Sequence, residues 1–92
     1  MPEFDAWLAS IRNMTTRQRL LTRLRRAARG NLGDIRPIGG RIFEMRQHFG
    51  PGWRMYFARY GDSSIVMLCG GDKASQRADV ALARRRERLI LE

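Results

Sequence analysis

A chain of 92 residues provides one domain with a single modest core, which excludes a multidomain architecture. It carries 18 Lys and Arg against 9 Asp and Glu, for a formal net charge of +9, and every cation except Lys73 is an arginine. Clustered guanidinium groups bind phosphates in bidentate fashion and attract polyanions over a distance. The composition therefore favours a polyanionic partner over a charge that serves only solubility.

The single cysteine, Cys69, excludes an internal disulfide and a cysteine-ligated zinc site. It follows Met67 and Leu68 in an apolar run, which indicates a buried structural thiol rather than a nucleophile. One histidine and scattered acids show no metal-ligand spacing, so we expect no metal and no cofactor. No run approaches the roughly 20 apolar residues of a membrane span, and the N-terminus lacks the apolar segment of a signal peptide. We therefore expect a cytoplasmic protein without a membrane partner.

Two helices are predicted in the first third of the chain. Phe4, Trp7, Leu8 and Ile11 stand at i, i+3, i+4 and i+7, which is the apolar stripe of a helix. Thr15 and Gln18 have the spacing of a capping box, and Gly30 with Asn31 provides a C-terminal stop, so the second helix runs from about residue 16 to 29. Its outer positions carry many arginines, which suit either a phosphate-binding surface or a solvated face: Arg17, Arg19, Arg23, Arg25, Arg26 and Arg29.

Residues 32 to 37 are predicted to be a short connection, because Pro37 cannot donate to a strand ladder. Three antiparallel strands follow in the run from Gly39 to Lys73, separated by turns at Gly50-Pro51-Gly52 and Gly61-Asp62. A helix capped by Ser75 ends the chain. Its predicted packing face consists of Ala78, Ala81, Leu82, Arg85 and Leu89. The fold class is thus α+β, a single domain over residues 1–92 with two N-terminal helices, a three-stranded meander and a C-terminal helix.

Alternation along the strands sorts their side chains between the two faces of the sheet. The odd positions are apolar and predict the core face: Phe43, Met45, Phe49, Trp53, Met55 and Phe57. The even positions are polar and predict the site face: Glu44, Arg46, His48, Arg54 and Tyr56. A turn centred on Pro51 places His48 opposite Arg54 and Arg46 opposite Tyr56. A two-residue Gly61-Asp62 turn pairs Phe57 with Val66 and Met55 with Leu68, whereas a three-residue turn would reverse the last strand.

A basic and aromatic sheet face is suited to metal-free cleavage of RNA. The nucleophile in that reaction is the 2′-hydroxyl of the substrate, so the protein mainly orients the phosphate and stabilises its negative charge. The candidate groups on this face and at the glycine corner are Arg46, His48, Arg54, Tyr56 and Lys73. Of these, Lys73 or His48 could act as the base. The same residues also fit plainer roles: His48 as a surface residue, and Glu44 with Arg46 and Arg54 as an ion network.

Several motifs together resemble the toxins of the RelE/ParE superfamily, in particular its HigB-like group of addiction-module killer proteins. The resemblance rests on Phe4-Asp5-x-Trp7-Leu8, Gly30-Asn31-x-Gly33-Asp34, Phe43-Glu44-Met45-Arg46, the run from Phe49 to Phe57, the run from Gly70 to Gln76, and Asp79-Val80-x-x-Ala83. Members usually begin with a strand ahead of the first motif, and here only Met1-Pro2-Glu3 precede it.

The resemblance implies an mRNA endonuclease that acts on the ribosome and is neutralised by a cognate antitoxin, typically a helix-turn-helix protein. By motif, the catalytic residues it implies are Arg46, Arg54 and Lys73, to which we add His48. We further assign substrate binding to Tyr56, Glu44, Arg41 and Arg77. Two other functions fit the same sequence: a gyrase inhibitor like ParE, and a basic RNA- or protein-binding module without catalysis.

Overall fold

The computed structural model describes residues 1–62 and 64–90. Within them the chain forms a four-stranded antiparallel sheet in the order β1-β2-β3-β4, with two helices before it and one after it. The elements are α1 Pro2–Ser10, α2 Met14–Ala28, β1 Ile35–Gly39, β2 Ile42–Arg46, β3 Arg54–Tyr60, β4 Ser64–Gly71 and α3 Gln76–Ile90. The predicted α+β class and the placement of the three helices are confirmed, and the strand count rises from three to four.

The additional strand is β1, which the sequence indicated as a connection. It pairs with β2 through Ile35 and Met45 and through Pro37 and Phe43. Proline is tolerated because β1 is an edge strand, where the missing N–H can face away from the ladder. Gly39 and Gly40 both have positive φ values, +137° and +56°, and allow the tight turn into β2.

The second helix begins earlier than the capping box suggested. Asn13 is its N-cap, and the Asn13 side chain accepts a hydrogen bond of 2.9 Å from the Thr16 backbone N–H. Thr15 and Gln18 consequently lie inside the helix, so the predicted capping box is wrong. The predicted stop is confirmed, since Gly30 has a φ of +93° and its N–H bonds to the Ala27 carbonyl.

The odd positions of the strands form the core, as the alternation predicted. Met45, Met55 and Phe57 are fully buried and pack with residues of α1 and α2, and Phe43 stacks on Phe57. The register differs from the predicted one by two residues, because Arg46 pairs with Arg54 and Glu44 with Tyr56. The loop is longer than assumed: Gln47 N–H bonds to the Trp53 carbonyl outside the ladder. An even shift leaves each side chain on its predicted face.

The last strand reverses relative to the two-residue turn, because Tyr60 pairs with Ser64 across three intervening residues. Phe57 therefore pairs with Met67 and not with Val66. A register irregularity between Tyr56 and Phe57 then shifts the remaining pairs by one residue, which moves the β4 side chains beyond it to the opposite face. Cys69 therefore lies across from Tyr56. Met67 consequently joins the core of α1 and α2, while Cys69 packs on the other face.

Helix α3 covers that other face. Ala83 is fully buried, and Val80, Leu82 and Ile90 pack partly buried beside it. The predicted packing face is therefore wrong in most positions: Ala78 and Ala81 are exposed, and Leu89 is 65% exposed. Arg86 Nη1 donates to the Leu68 carbonyl at 2.6 Å, so a guanidinium contributes to this contact as well. None of the helices in the described part of the chain is long and apolar enough to cross a membrane.

Gly70 allows the close contact between β4 and α1. A Cβ at Gly70 would overlap the Trp7 ring, which also packs on Phe4 and Trp53. We expect Gly70→Ala to lower the free energy of unfolding by about 1–3 kcal/mol through overpacking, measured by urea denaturation. In a Trp7→Leu background the same substitution should cost clearly less, and additive effects would contradict the assigned contact.

Candidate active site

Three predicted cations meet at one end of the sheet. Arg46 pairs with Arg54, and Arg54 pairs with Gly71, so these positions form the last row of the ladder. Lys73 follows two residues later, and its N–H reaches the Pro51 carbonyl at 3.4 Å. A Cβ on Gly52 would lie 3.3 Å from Lys73 Cβ and 3.6 Å from Arg54 Nη1. The hairpin loop thus brings the base of the Lys73 side chain close to the Arg54 guanidinium.

Asp34, at the start of β1, joins two predicted catalytic residues. Its Oδ1 accepts a hydrogen bond of 2.9 Å from Arg46 Nη2, and its Oδ2 lies 2.5 Å from His48 Nε2. These hydrogen bonds, first from Arg46 and then from His48, lower the pKa of Asp34 to about 2. This role of Asp34 was not predicted, because residues 32 to 37 were expected to form a connection, although Asp34 belongs to one of the family motifs.

Arg54 is held more rigidly than Arg46. Its side chain is only 11% exposed, and Nη1 donates to the carbonyls of Trp53 at 3.2 Å and Gln47 at 3.4 Å. Glu44 Oε1 lies 3.8 Å from Arg54 Nε. The Glu44 carboxylate also accepts a hydrogen bond of 2.7 Å from Gln76 Nε2, at the first residue of α3. This chain of contacts fixes the guanidinium relative to both sheet and helix.

Glu44 and Tyr56 form the next row of the ladder, and α3 covers them. Both are fully buried. Burial, together with the Glu44 carboxylate, raises the pKa of Tyr56. The expectation that they bind substrate directly is therefore corrected: neither is open to a ligand in this structure, and both lie beneath the exposed row.

The two remaining predicted residues, Arg41 and Arg77, lie in different parts of the structure. Arg41 precedes β2 and lies at the opposite end of that strand from Arg46. Its guanidinium stacks over Tyr60 at 4.9 Å from the ring centroid, and its Nε lies 3.7 Å from Glu87 Oε1, so the structure does not bring it to the site. Arg77 is exposed in the first turn of α3, next to Gln76, and so lies beside the site.

Among the described residues, no three His, Cys, Asp or Glu side chains are grouped so that they could hold a metal ion. Cys69 is 2% exposed, and its thiol donates to the Asp79 carbonyl at 3.3 Å. Burial raises the pKa of the thiol to about 12, which keeps it protonated. The predicted buried thiol is confirmed.

Arg23, on α2, holds together the two backbone segments that carry the site residues Asp34 and Arg46. Its guanidinium donates to three backbone carbonyls, at 2.9 Å each to Leu32, Asp34 and Arg46. It therefore joins the start of β1 to the end of β2, which are the segments that carry Asp34 and Arg46. The sequence showed Arg23 only as one of several arginines on the second helix.

We expect Arg23→Lys to lower the free energy of unfolding by about 1–3 kcal/mol, because an ammonium group cannot reach three carbonyls that the planar guanidinium satisfies together. Urea denaturation measures the change. Arg25→Lys, at an exposed position of the same helix, is the matched control and should be close to neutral. Equal effects of the two substitutions would refute the supporting role.

The Asp34 contacts predict a specific pH dependence. Because the folded-state pKa lies below the ordinary value of 3.8, the contacts stabilise the fold above about pH 4, and this contribution fades as the pH falls toward about 2. The stabilities of the natural protein and of Asp34→Asn should thus differ near neutral pH and converge in acid. Carboxyl NMR should show a higher Asp34 pKa in Arg46→Gln and an unchanged one in Arg88→Gln. An ordinary Asp34 pKa in the natural protein would contradict the network.

Comparison with known proteins finds a relative in Haemophilus influenzae, an uncharacterized protein that is 36% identical over 81 residues. The match covers 88% of this chain and 82% of the relative. No family model and no solved structure matches the chain. Identity of this level over nearly the whole of both chains means common ancestry, and the protein therefore belongs to the same family as the Haemophilus influenzae protein.

Proposed function

We propose that this protein is a toxin of the RelE/ParE superfamily, HigB-like group, and that it cleaves mRNA on the ribosome without a metal ion. The observation that carries the proposal is the end row of the sheet, where Arg46 and Arg54 are cross-strand partners and Lys73 lies beside Arg54. Three cations around one exposed strand end suit a single RNA phosphate. The net charge of +9 would favour encounter with RNA.

We assign phosphate binding to Arg54 and Arg46. Arg54 cannot move far, because two carbonyls and Glu44 hold its guanidinium. A fixed donor of this kind stabilises charge that develops on the phosphorus oxygens without having to reorganise. Arg46 is oriented by Asp34 and remains partly exposed, with 34% of its side chain accessible, so it can turn a second guanidinium edge toward the phosphate. Lys73 is exposed and adds a third cation.

His48 is the proposed base. With Nε2 held by Asp34, its other ring nitrogen, Nδ1, is the free proton acceptor. The 2′-hydroxyl gives its proton to Nδ1 while the 2′-oxygen forms a bond to phosphorus. The bond from phosphorus to the 5′-oxygen then breaks, and the 5′-oxygen takes a proton from solvent. The products are a 2′,3′-cyclic phosphate and a 5′-hydroxyl.

A type II toxin implies two macromolecular partners, which we propose as part of this function. One is mRNA bound to the ribosome, and the other is a cognate antitoxin, for which we propose the helix-turn-helix type. Both would meet the protein in the cytoplasm. Exposed arginines near the two ends of α2 and on α3 supply the basic surface that either partner would need: Arg12, Arg26, Arg29 and Arg85.

Mapping the 5′ ends of mRNA in a reconstituted translation reaction tests the proposal. The natural protein should create new ends that a kinase can phosphorylate directly, because they carry a 5′-hydroxyl. Arg54→Ala should reduce cleavage by about 10²-fold to 10³-fold, as expected for loss of a fixed donor to the developing charge. His48→Ala should reduce it by about 10²-fold or more, since it removes a general base.

Arg88→Ala is the control, because it removes the same charge from an exposed position twelve residues beyond Gln76, about 18 Å along α3. It should cleave like the natural protein. Equal activity of Arg54→Ala and the control would refute the assigned site. Intact mRNA together with gyrase trapped on DNA would favour the ParE-like function, and salt-sensitive RNA binding without new ends would favour a non-catalytic module.

A further inference from the structure

A second concave surface lies on the opposite side of the β2–β3 hairpin from the candidate active site. It is a groove of about 620 Å³ between the exposed face of α2 and the hairpin loop. Its lining consists of Met14, Thr15, Gln18, Arg19, Thr22, Arg23, Arg26, Gln47 and Phe49. Cavities of this size accommodate small organic groups such as a nucleotide. None of the lining residues is acidic, and only two are apolar.

The charge of this region has one sign over a long stretch. Between Asp5 and Asp34 the sequence contains no acidic residue, while it contains seven arginines: Arg12, Arg17, Arg19, Arg23, Arg25, Arg26 and Arg29. A surface with this composition repels cations and concentrates anions. The charge of the groove therefore favours an anionic ligand, and its arginines can bind phosphate oxygens.

Besides its positive charge, the groove has two features that could bind a ligand: a guanidinium over an aromatic ring and an unpaired amide. The central carbon of the Arg19 guanidinium lies over the Phe49 ring, 3.6 Å from its centroid, and Arg19 is exposed. Stacked guanidinium and aromatic planes are surfaces on which unpaired bases stack in RNA-binding proteins. Gln47 is 8% exposed, and its amide nitrogen is buried without a hydrogen-bond partner among the described residues. Gln47 lines the groove, so a ligand oxygen there would supply the acceptor that this amide lacks once the amide turns toward it.

We propose that the groove binds a nucleotide of single-stranded RNA next to the cleavage site, with its base on the Arg19–Phe49 stack, its phosphate on Arg26 and a base oxygen on Gln47. The groove and the candidate active site share one segment of chain, because Gln47 stands between Arg46 and His48 and its carbonyl accepts from Arg54. RNA as the ligand rests on the proposed function. The position of the groove and its preference for an anionic ligand do not rest on it.

Binding of a single-stranded 2′-O-methyl RNA of about twelve nucleotides tests the inference, since a blocked 2′-oxygen prevents cleavage and permits use of the natural protein. In ¹⁵N NMR the Gln47 side-chain amide should shift on titration. By fluorescence anisotropy, Arg19→Gln and Gln47→Leu should each weaken binding about tenfold. Arg26→Gln should also reduce the salt slope by about 1. Arg25→Gln, which lies outside the lining on the same helix, is the control.

Gln47→Leu should fold at least as stably as the natural protein, because it removes an unpaired buried amide, and thermal unfolding checks this. Unchanged RNA affinity in both Arg19→Gln and Gln47→Leu would overturn the inference, as would a Gln47 shift produced by an acidic peptide but not by RNA. If cleavage depends on Arg54 but these variants bind RNA normally, the proposed function stands and the RNA-binding role of the groove is refuted. If RNA binds in the groove and no cleavage occurs, the nuclease function is refuted and the RNA-binding role of the groove stands.

Discussion

The Arg23 guanidinium is the contact on which the geometry of the site depends. Three carbonyls converge on it: those of Leu32 and Asp34, in the segment just before β1, and that of Arg46, the last residue of β2. The carbonyls of Leu32 and Arg46 accept these hydrogen bonds in partly buried positions, where an unpaired carbonyl would be costly. Gly33 leaves the necessary space, since a Cβ there would lie 2.9 Å from Arg23 Nη2. The helix, the edge strand and the end of β2 are thereby fixed together. Arg23 and a backbone hydrogen bond of 3.1 Å from the Arg46 N–H to the Asp34 carbonyl together set the separation between Asp34 and Arg46, and through Asp34 the position of His48.

Many arginines of this protein therefore have structural roles, which composition alone did not reveal. Arg23, Arg84 and Arg86 donate to backbone carbonyls; those of Ile38 and Leu68, reached by Arg84 and Arg86, belong to the two outer strands of the sheet. Others cover aromatic rings: Arg19, Arg41 and Arg59. A guanidinium suits both tasks, because it is planar and weakly hydrated and carries five donors. The surface that remains for a polyanion is smaller than the net charge suggests, and it is concentrated on α2, on α3 and at the end of the sheet.

Alternation predicted which side chains share a face, and it failed where the chain departs from a simple ladder. The shift that pairs Arg46 with Arg54 was harmless because it is even, and it brought the two arginines closer than the predicted register did. The shift in β4 was odd, and the irregularity at Tyr56 then returned Cys69 to the face on which a two-residue turn would have placed it. Sequence reasoning could not find β1, because its proline is acceptable only at an edge, and the edge is defined by the finished sheet. Asp34 was missed for the same reason.

Burial of Glu44 explains why the site lies at the end of the sheet and not on its whole polar face. A fully buried carboxylate is costly, and here it is compensated by the guanidinium groups of Arg36 at 3.6 Å and Arg54 at 3.8 Å and by the Gln76 amide. Apolar residues of similar volume often replace such pairs with no loss of stability, so stability alone does not require this arrangement. The contribution of Glu44 is to fix the positions of the groups around it. Glu44 connects the first turn of α3 to the strand that carries Arg54, so the helix that covers the inner row also holds the outer row in place.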